Sequence, residues 1–246
     1  MGAGNPWRVT GREHPWSTAN GSGYIDLVLS NGNTHLVIES KRSRDATWMF
    51  LMPDVAQMSR SHACVCWTDT MPHRRALSGW GDTQVYPNSP ESEFCIVRGQ
   101  GEGDKPLLER LASSVVESTD GLSHHFLELG RESRTTNVVI PVIVTNAQLV
   151  AARFHPKQID LLTGELPSAD YSAVPHLRFR KSLAAASSPF EYDPESLEDL
   201  AAGSERTVFV VRGSELTNWL EVFQRSASDS SSPWESARGA ADAMGV

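Results

Sequence analysis

The chain has 246 residues, with 30 acids against 22 bases and a formal charge of −8. That length holds one large domain or two small ones around a full apolar core, and 39 % hydrophobic with 21 % charged residues excludes global disorder. An acidic balance argues against a protein that coats nucleic acid non-specifically, a task that needs a broad basic surface, but leaves room for a local basic groove.

In chain order, Tyr24–Ser30 and Thr34–Lys41 read as two strands joined by Asn31-Gly32-Asn33. Asn-Gly between β-rich runs is a strong hairpin signal. Residues 45–60 carry Trp48, Phe50, Leu51, Val55 and Met58 and predict a helix interrupted at Pro53. Ala63–Trp67 and Phe94–Arg98 predict short strands, and the Pro-, Gly- and polar-rich residues 69–92 between them predict a long loop. Asp104 can cap a helix that runs to about Asp120, with Leu107, Leu108, Leu111, Val115 and Val116 on one face. Val138–Thr145 and Gln148–Phe154 predict a second strand pair around Asn146, and residues 176–181 a further strand. Thr207–Arg212 followed by Glu215–Gln224 predicts a strand–helix unit, and residues 226–246 a disordered tail. The expected class is α/β: one domain over residues 5–225, a central mixed sheet flanked by helices.

Three cysteines, Cys64, Cys66 and Cys95, form no even disulfide framework, so a reducing compartment and a cytoplasmic location are expected. Met1–Pro6 shows no basic region leading into an apolar run, so no secretory signal is expected, and no apolar stretch is long enough to span a bilayer. His62, Cys64 and Cys66 alternate along a strand, but without a C-x-x-C or a His pair at ligand spacing they read as strand residues rather than zinc ligands. Gly99–Gly103 lacks phosphate-loop spacing and reads as a turn. No G-x-S-x-G elbow is present, which leaves Ser-His-Asp catalysis without a sequence signal.

The hairpin carries the chemistry. A turn centred on Asn31-Gly32 sets Asp26 opposite Val37, and alternation then puts Val37, Glu39 and Lys41 on the face of Asp26. Glu39 becomes a diagonal neighbour of Asp26, roughly 7–8 Å away between backbones. Two carboxylates at that spacing can share a hard divalent cation, which takes oxygen ligands. A one-residue slip would separate them onto opposite faces. Charged groups framed by Leu27, Val28, Leu29, Leu36, Val37 and Ile38 need mutual pairing or a metal.

Ile25-Asp26-Leu27-Val28-Leu29 followed by Leu36-Val37-Ile38-Glu39-Ser40-Lys41 resembles the PD-(D/E)xK nuclease superfamily, the restriction-endonuclease-like fold, over about 30 residues. The resemblance implies Mg²⁺ or Mn²⁺ held by Asp26, Glu39 and the Ser40 carbonyl, with Lys41 assisting a water in phosphodiester hydrolysis. In that family a glutamate on a preceding helix often joins the site, and Glu13 is the acid upstream of Asp26. Gln57 begins a Q-x-x-x-Y motif of some members, but Ser61 stands where the tyrosine would be. The expected partner is nucleic acid, DNA before RNA, with no membrane and with a homodimer left open. Arg42, Arg44, Arg178, Arg180 and Lys181 are the candidate contacts to the nucleic-acid backbone, and Arg74 and Arg75 are further basic residues. A non-catalytic nucleic-acid-binding or assembly protein that keeps the nuclease fold is the alternative. Six of the acids fall within residues 190–205, and the rest of the chain carries only −2.

Overall fold

Period-two alternation governs more of this chain than its apolar runs suggest. The computed structural model describes residues 5–19, 21–43, 46–54, 61–70, 76–97, 106–130, 135–160, 162, 168–183 and 203–226. The chain begins with three antiparallel strands, β1 (Arg8–Thr18), β2 (Gly21–Asn31) and β3 (Thr34–Lys41). Next come β4 (Thr47–Pro53), β5 (His62–Thr70), β6 (Leu77–Tyr86), β7 (Glu91–Ser92) and β8 (Phe94–Val97). Helix α1 (Leu107–Leu129) follows, then β9 (Thr135–Thr145), β10 (Gln148–Phe154), β11 (Asp170–Ala173), β12 (His176–Ser182) and β13 (Glu205–Arg212). Helix α2 (Leu216–Val222) and β14 (Gln224–Arg225) close the described residues.

The expected helix-flanked α/β architecture is therefore corrected: two α-helices accompany fourteen strands among the described residues, in a curled mixed sheet. Three local readings account for the difference. Thr47–Pro53 is a strand, in which Trp48, Phe50 and Met52 are buried and the residues between them are half-covered; a run apolar at every position has no period, so it cannot distinguish a strand from a helix. The predicted loop holds β6, paired antiparallel to β5 from His62↔Gln84 to Asp69↔Leu77, despite Gly79 and Gly81. Asn146 does not join a strand pair: β9 and β10 lie in different sheets, and the chain changes sheet at that turn. Helix α1 also runs nine residues past Asp120, continuing through Gly121. Asp104, Gln57, the Gly99–Gly103 turn and the sequence-expected tail beyond Ser226 lie outside the described residues.

Strand β9 is the hub. One edge carries β3 in parallel from Thr34↔Val138 to Lys41↔Thr145. The other edge is shared, antiparallel β5 pairing with Thr135–Val139 and parallel β13 with Val142–Thr145. The path β1-β2-β3-β9-β13-β12-β7, with β5, β6 and β14 branching from it, makes ten strands. A second sheet has the order β11-β10-β4-β8.

Both faces of the larger sheet are buried. Val28, Val37, Val139, Ile143, Val208 and Val210 meet Trp48 and Phe50 of the second sheet and Leu108, Ala112 and Val115 of α1. Leu36, Ile38, Ile140, Val142 and Phe209 meet Trp67, Trp219 and Phe223 on the other face. A central strand buried on both sides reads as a continuous apolar run, as Val138–Val144 does. Among the described residues no helix is long and apolar enough to cross a membrane.

Candidate functional site

The hairpin turn is tighter than the sequence reading. Asn31 pairs with Thr34 and the ladder continues through Leu29↔Leu36 to Leu27↔Ile38, leaving Gly32 and Asn33 as a two-residue turn with Gly32 at φ 59°. Glycine takes that left-handed conformation without steric cost. The register differs by two from the expected one, so the shared face survives, and extending the ladder by one step sets Asp26 directly opposite Glu39 rather than diagonal to it.

The ladder itself stops there. The Ser40 amide donates to the Asp26 carboxylate at 2.7 Å, so a side chain takes the place of a backbone acceptor at the point where β2 and β3 part. Glu39 and Lys41 follow Val37 by alternation, and all three of Asp26, Glu39 and Lys41 are half-buried while Ser40 is exposed. Burial raises the proton affinity of Glu39, and the negative charges of Asp26 and Glu13 push it further up against the opposing pull of Lys41. Glu39 therefore feels the charges of the other three groups.

Glu13 does not sit on a preceding helix. It lies in β1, between Arg12↔Leu27 and His14↔Ile25, and so beside Asp26 on the neighbouring strand. Its φ of 44° is the one positive value of a non-glycine residue among those described. Such a conformation costs about 1–2 kcal/mol and persists only where the surroundings enforce it, a pattern that clusters at functional sites. Sequence reasoning has no signal for it, because nothing in Arg12-Glu13-His14 marks a left-handed residue.

Two carboxylates and a backbone carbonyl suit Mg²⁺, which keeps several waters and is typically held through one or two carboxylates. Among the described residues no three of His, Cys, Asp and Glu converge closely enough to hold a metal ion, so Glu13 adds charge rather than completing a three-carboxylate set.

The basic residues named from sequence do not gather along one groove. Arg42 is exposed next to Lys41, and Arg44, Arg74 and Arg75 lie outside the described residues. Arg178 is fully buried and donates to the carbonyls of His62 and Ser89, each at 2.9 Å. Arg180 is clamped by Glu205 at 2.6 Å and Asp82 at 2.8 Å. Lys181 pairs with Glu109 and lies 5.1 Å from the centre of the Phe94 ring. These three side chains join strands to one another and to α1. The thiols are also inward: burial pushes Cys64 and Cys95 up to about 12, and Cys66 higher still, which removes thiolate chemistry at neutral pH.

No family model matches this chain, and neither the curated proteins nor the solved structures contain a match to it.

Proposed function

We propose that this protein is a metal-dependent phosphodiesterase acting on nucleic acid, DNA before RNA, with its centre at Asp26, Glu39 and Lys41. One observation carries the reading: Asp26 and Glu39, both half-buried, lie just beyond the last ladder pair Leu27↔Ile38, and Glu39 is driven toward protonation by burial and by the negative charges of Asp26 and Glu13. A divalent cation offsets that excess of negative charge, and hard oxygen donors favour Mg²⁺ or Mn²⁺.

In this reading Asp26, Glu39 and the Ser40 carbonyl hold the ion, which when bound supplies Lewis-acid polarisation of a phosphate oxygen. The Ser40 amide fixes the Asp26 carboxylate, so one ligand is oriented before any ion arrives. Lys41 orients the attacking water and offsets the charge that builds on the phosphate oxygens. Arg42, exposed beside it, is a described cation available to a phosphate backbone.

The purified chain is expected to cleave plasmid or oligonucleotide substrates with Mg²⁺ or Mn²⁺ and to stop with EDTA. Lys41→Ala should reduce the rate by about 100-fold or more, in line with loss of a charge-stabilising group. Mn²⁺ titrated into the protein without substrate should bind, and should bind more weakly to Glu39→Gln. Cleavage unchanged in Asp26→Ala and Lys41→Ala refutes the assignment. Nucleic-acid binding without any cleavage would support the non-catalytic alternative instead.

A further inference from the structure

At the turn end of the same hairpin a second polar constellation crosses the sheet, and the proposed metal site makes no use of it. Thr10 Oγ1 lies 2.8 Å from Ser30 Oγ, and Ser30 Oγ lies 2.8 Å from Nδ1 of His35. On its other side His35 Nε2 is 3.1 Å from Asn137 Oδ1, and Asn137 Nδ2 donates to Thr68 Oγ1 at 3.4 Å. The row runs through β1, β2, β3, β9 and β5. His35 and Asn137 are each 8 % exposed, and the Phe126 ring of α1 covers the imidazole with centroids 4.3 Å apart. Ser30 is half-exposed and Thr10 exposed, so the row opens to solvent at the hydroxyl end.

Donor and acceptor counting fixes the direction of each bond. The Asn137 amide nitrogen is committed to Thr68, so its oxygen faces Nε2, which must carry the imidazole proton. Nδ1 then presents a lone pair, and the group in reach to donate to it is the Ser30 hydroxyl. Ser30 Oγ, its own proton given to Nδ1, accepts from Thr10, whose single hydroxyl proton also lies within reach of the Val28 carbonyl at 3.4 Å. Burial lowers the proton affinity of His35 and outweighs the opposing bond to Asn137, which keeps the ring a neutral base at pH 7.

We propose that Ser30, His35 and Asn137 form a nucleophile, a general base and its positioning residue, a reactive centre for small carboxylic esters. Nucleophile and base stand at hydrogen-bond distance, and a third group holds the base in one tautomer, which is the arrangement that activates a hydroxyl. Ser30 Oγ bonds to the ester carbonyl carbon while its proton passes to His35 Nδ1. The bond from that carbon to the alkoxy oxygen then breaks, and the alcohol leaves with the proton. Water attacks the acyl-serine in the same way, giving its proton to Nδ1, and releases the acid as the Ser30 hydroxyl is restored. Ser30 lies four residues from Asp26 on β2, about 13 Å along the strand, so this centre stands apart from the proposed phosphodiesterase site and does not rest on it.

The test uses the full chain and a fluorophosphonate probe, read by intact mass and peptide mapping, with p-nitrophenyl acetate hydrolysis alongside. One probe should attach, at Ser30, and Ser30→Ala should take none. Asn137→Ala should slow labelling at least tenfold, and Asn137→Asp should restore it, since a carboxylate also accepts the Nε2 proton; a purely structural asparagine would not give that rescue. Thermal melts identify variants that are folded, and Ser30→Ala removes a single oxygen if the Asn137 variants melt early. Absence of labelling in the unmodified protein, labelling that persists in Ser30→Ala, or a folded Asn137→Ala that labels at the full rate overturns the proposal.

Discussion

Replacing Asp26 separates what that carboxylate does for the fold from what it does for the proposed chemistry. Its oxygen accepts the Ser40 amide at 2.7 Å where β2 and β3 part. A hydrogen bond to a charged group contributes about 1.5–3 kcal/mol and a neutral one about 0.5–1.5 kcal/mol. Asp26→Asn keeps an oxygen acceptor and forfeits roughly 1 kcal/mol of that difference. Against this stands the relief of repulsion with Glu39, worth about 0–1 kcal/mol for partly exposed charges. The two effects nearly cancel, so the melting temperature of Asp26→Asn should stay within about 3 °C of the parent, given about 2–4 °C per kcal/mol at this chain length. Asp26→Ala loses the acceptor altogether and should melt lower by about 1–2 kcal/mol, as water replaces the bond only in part. Both variants should lose Mg²⁺-dependent cleavage. Thermal melts paired with a plasmid-cleavage assay decide the matter. The reasoning fails if Asp26→Asn is as unstable as Asp26→Ala, or if the folded Asn variant still cleaves.

Other consequences follow from particular contacts. Glu39 has a folded pKa above its ordinary 4.5, so between 4.5 and the raised value the native state binds more protons than the unfolded chain. Its contribution to stability is therefore full below pH 4.5 and lost as pH rises through the folded value; Glu39→Gln or added Mg²⁺ should flatten that decline in melts from pH 4 to 8, and identical slopes would contradict the charge cluster. Arg178→Met leaves the buried carbonyl of Ser89 and the part-buried carbonyl of His62 without their donor and should cost about 3 kcal/mol or more, measured by urea unfolding; a loss below about 1 kcal/mol would show that the side chain is not a structural tie. Gly121→Ala should gain about 1 kcal/mol of helix propensity, but the added Cβ would lie 2.7 Å from Cε3 of Trp16, and such overpacking costs about 1–3 kcal/mol. A net loss near 1 kcal/mol is expected, and a more stable variant would mean that Trp16 moves aside freely.

The sequence by itself determined the hairpin and the spacing of its charged residues: Asn31-Gly32 within two apolar runs, and Glu39 and Lys41 two apart, so that alternation places them on one face. Local rules suffice there because turn geometry and the two-residue period act over a dozen residues. The final strand–helix unit, β13 and α2, was legible for the same reason. Tertiary structure alone decided that Thr47–Pro53 extends beside β10 instead of coiling, since its backbone bonds go to strands about 45 and 100 residues away in sequence. It also decided that Arg178 is a buried tie rather than a surface cation, because burial depends on β7 and β12 meeting. The left-handed Glu13 and the Ser30–His35–Asn137 row belong to the same class. Each exists because strands distant in sequence lie side by side, and one strand's residues give no sign of what the next will bring to them.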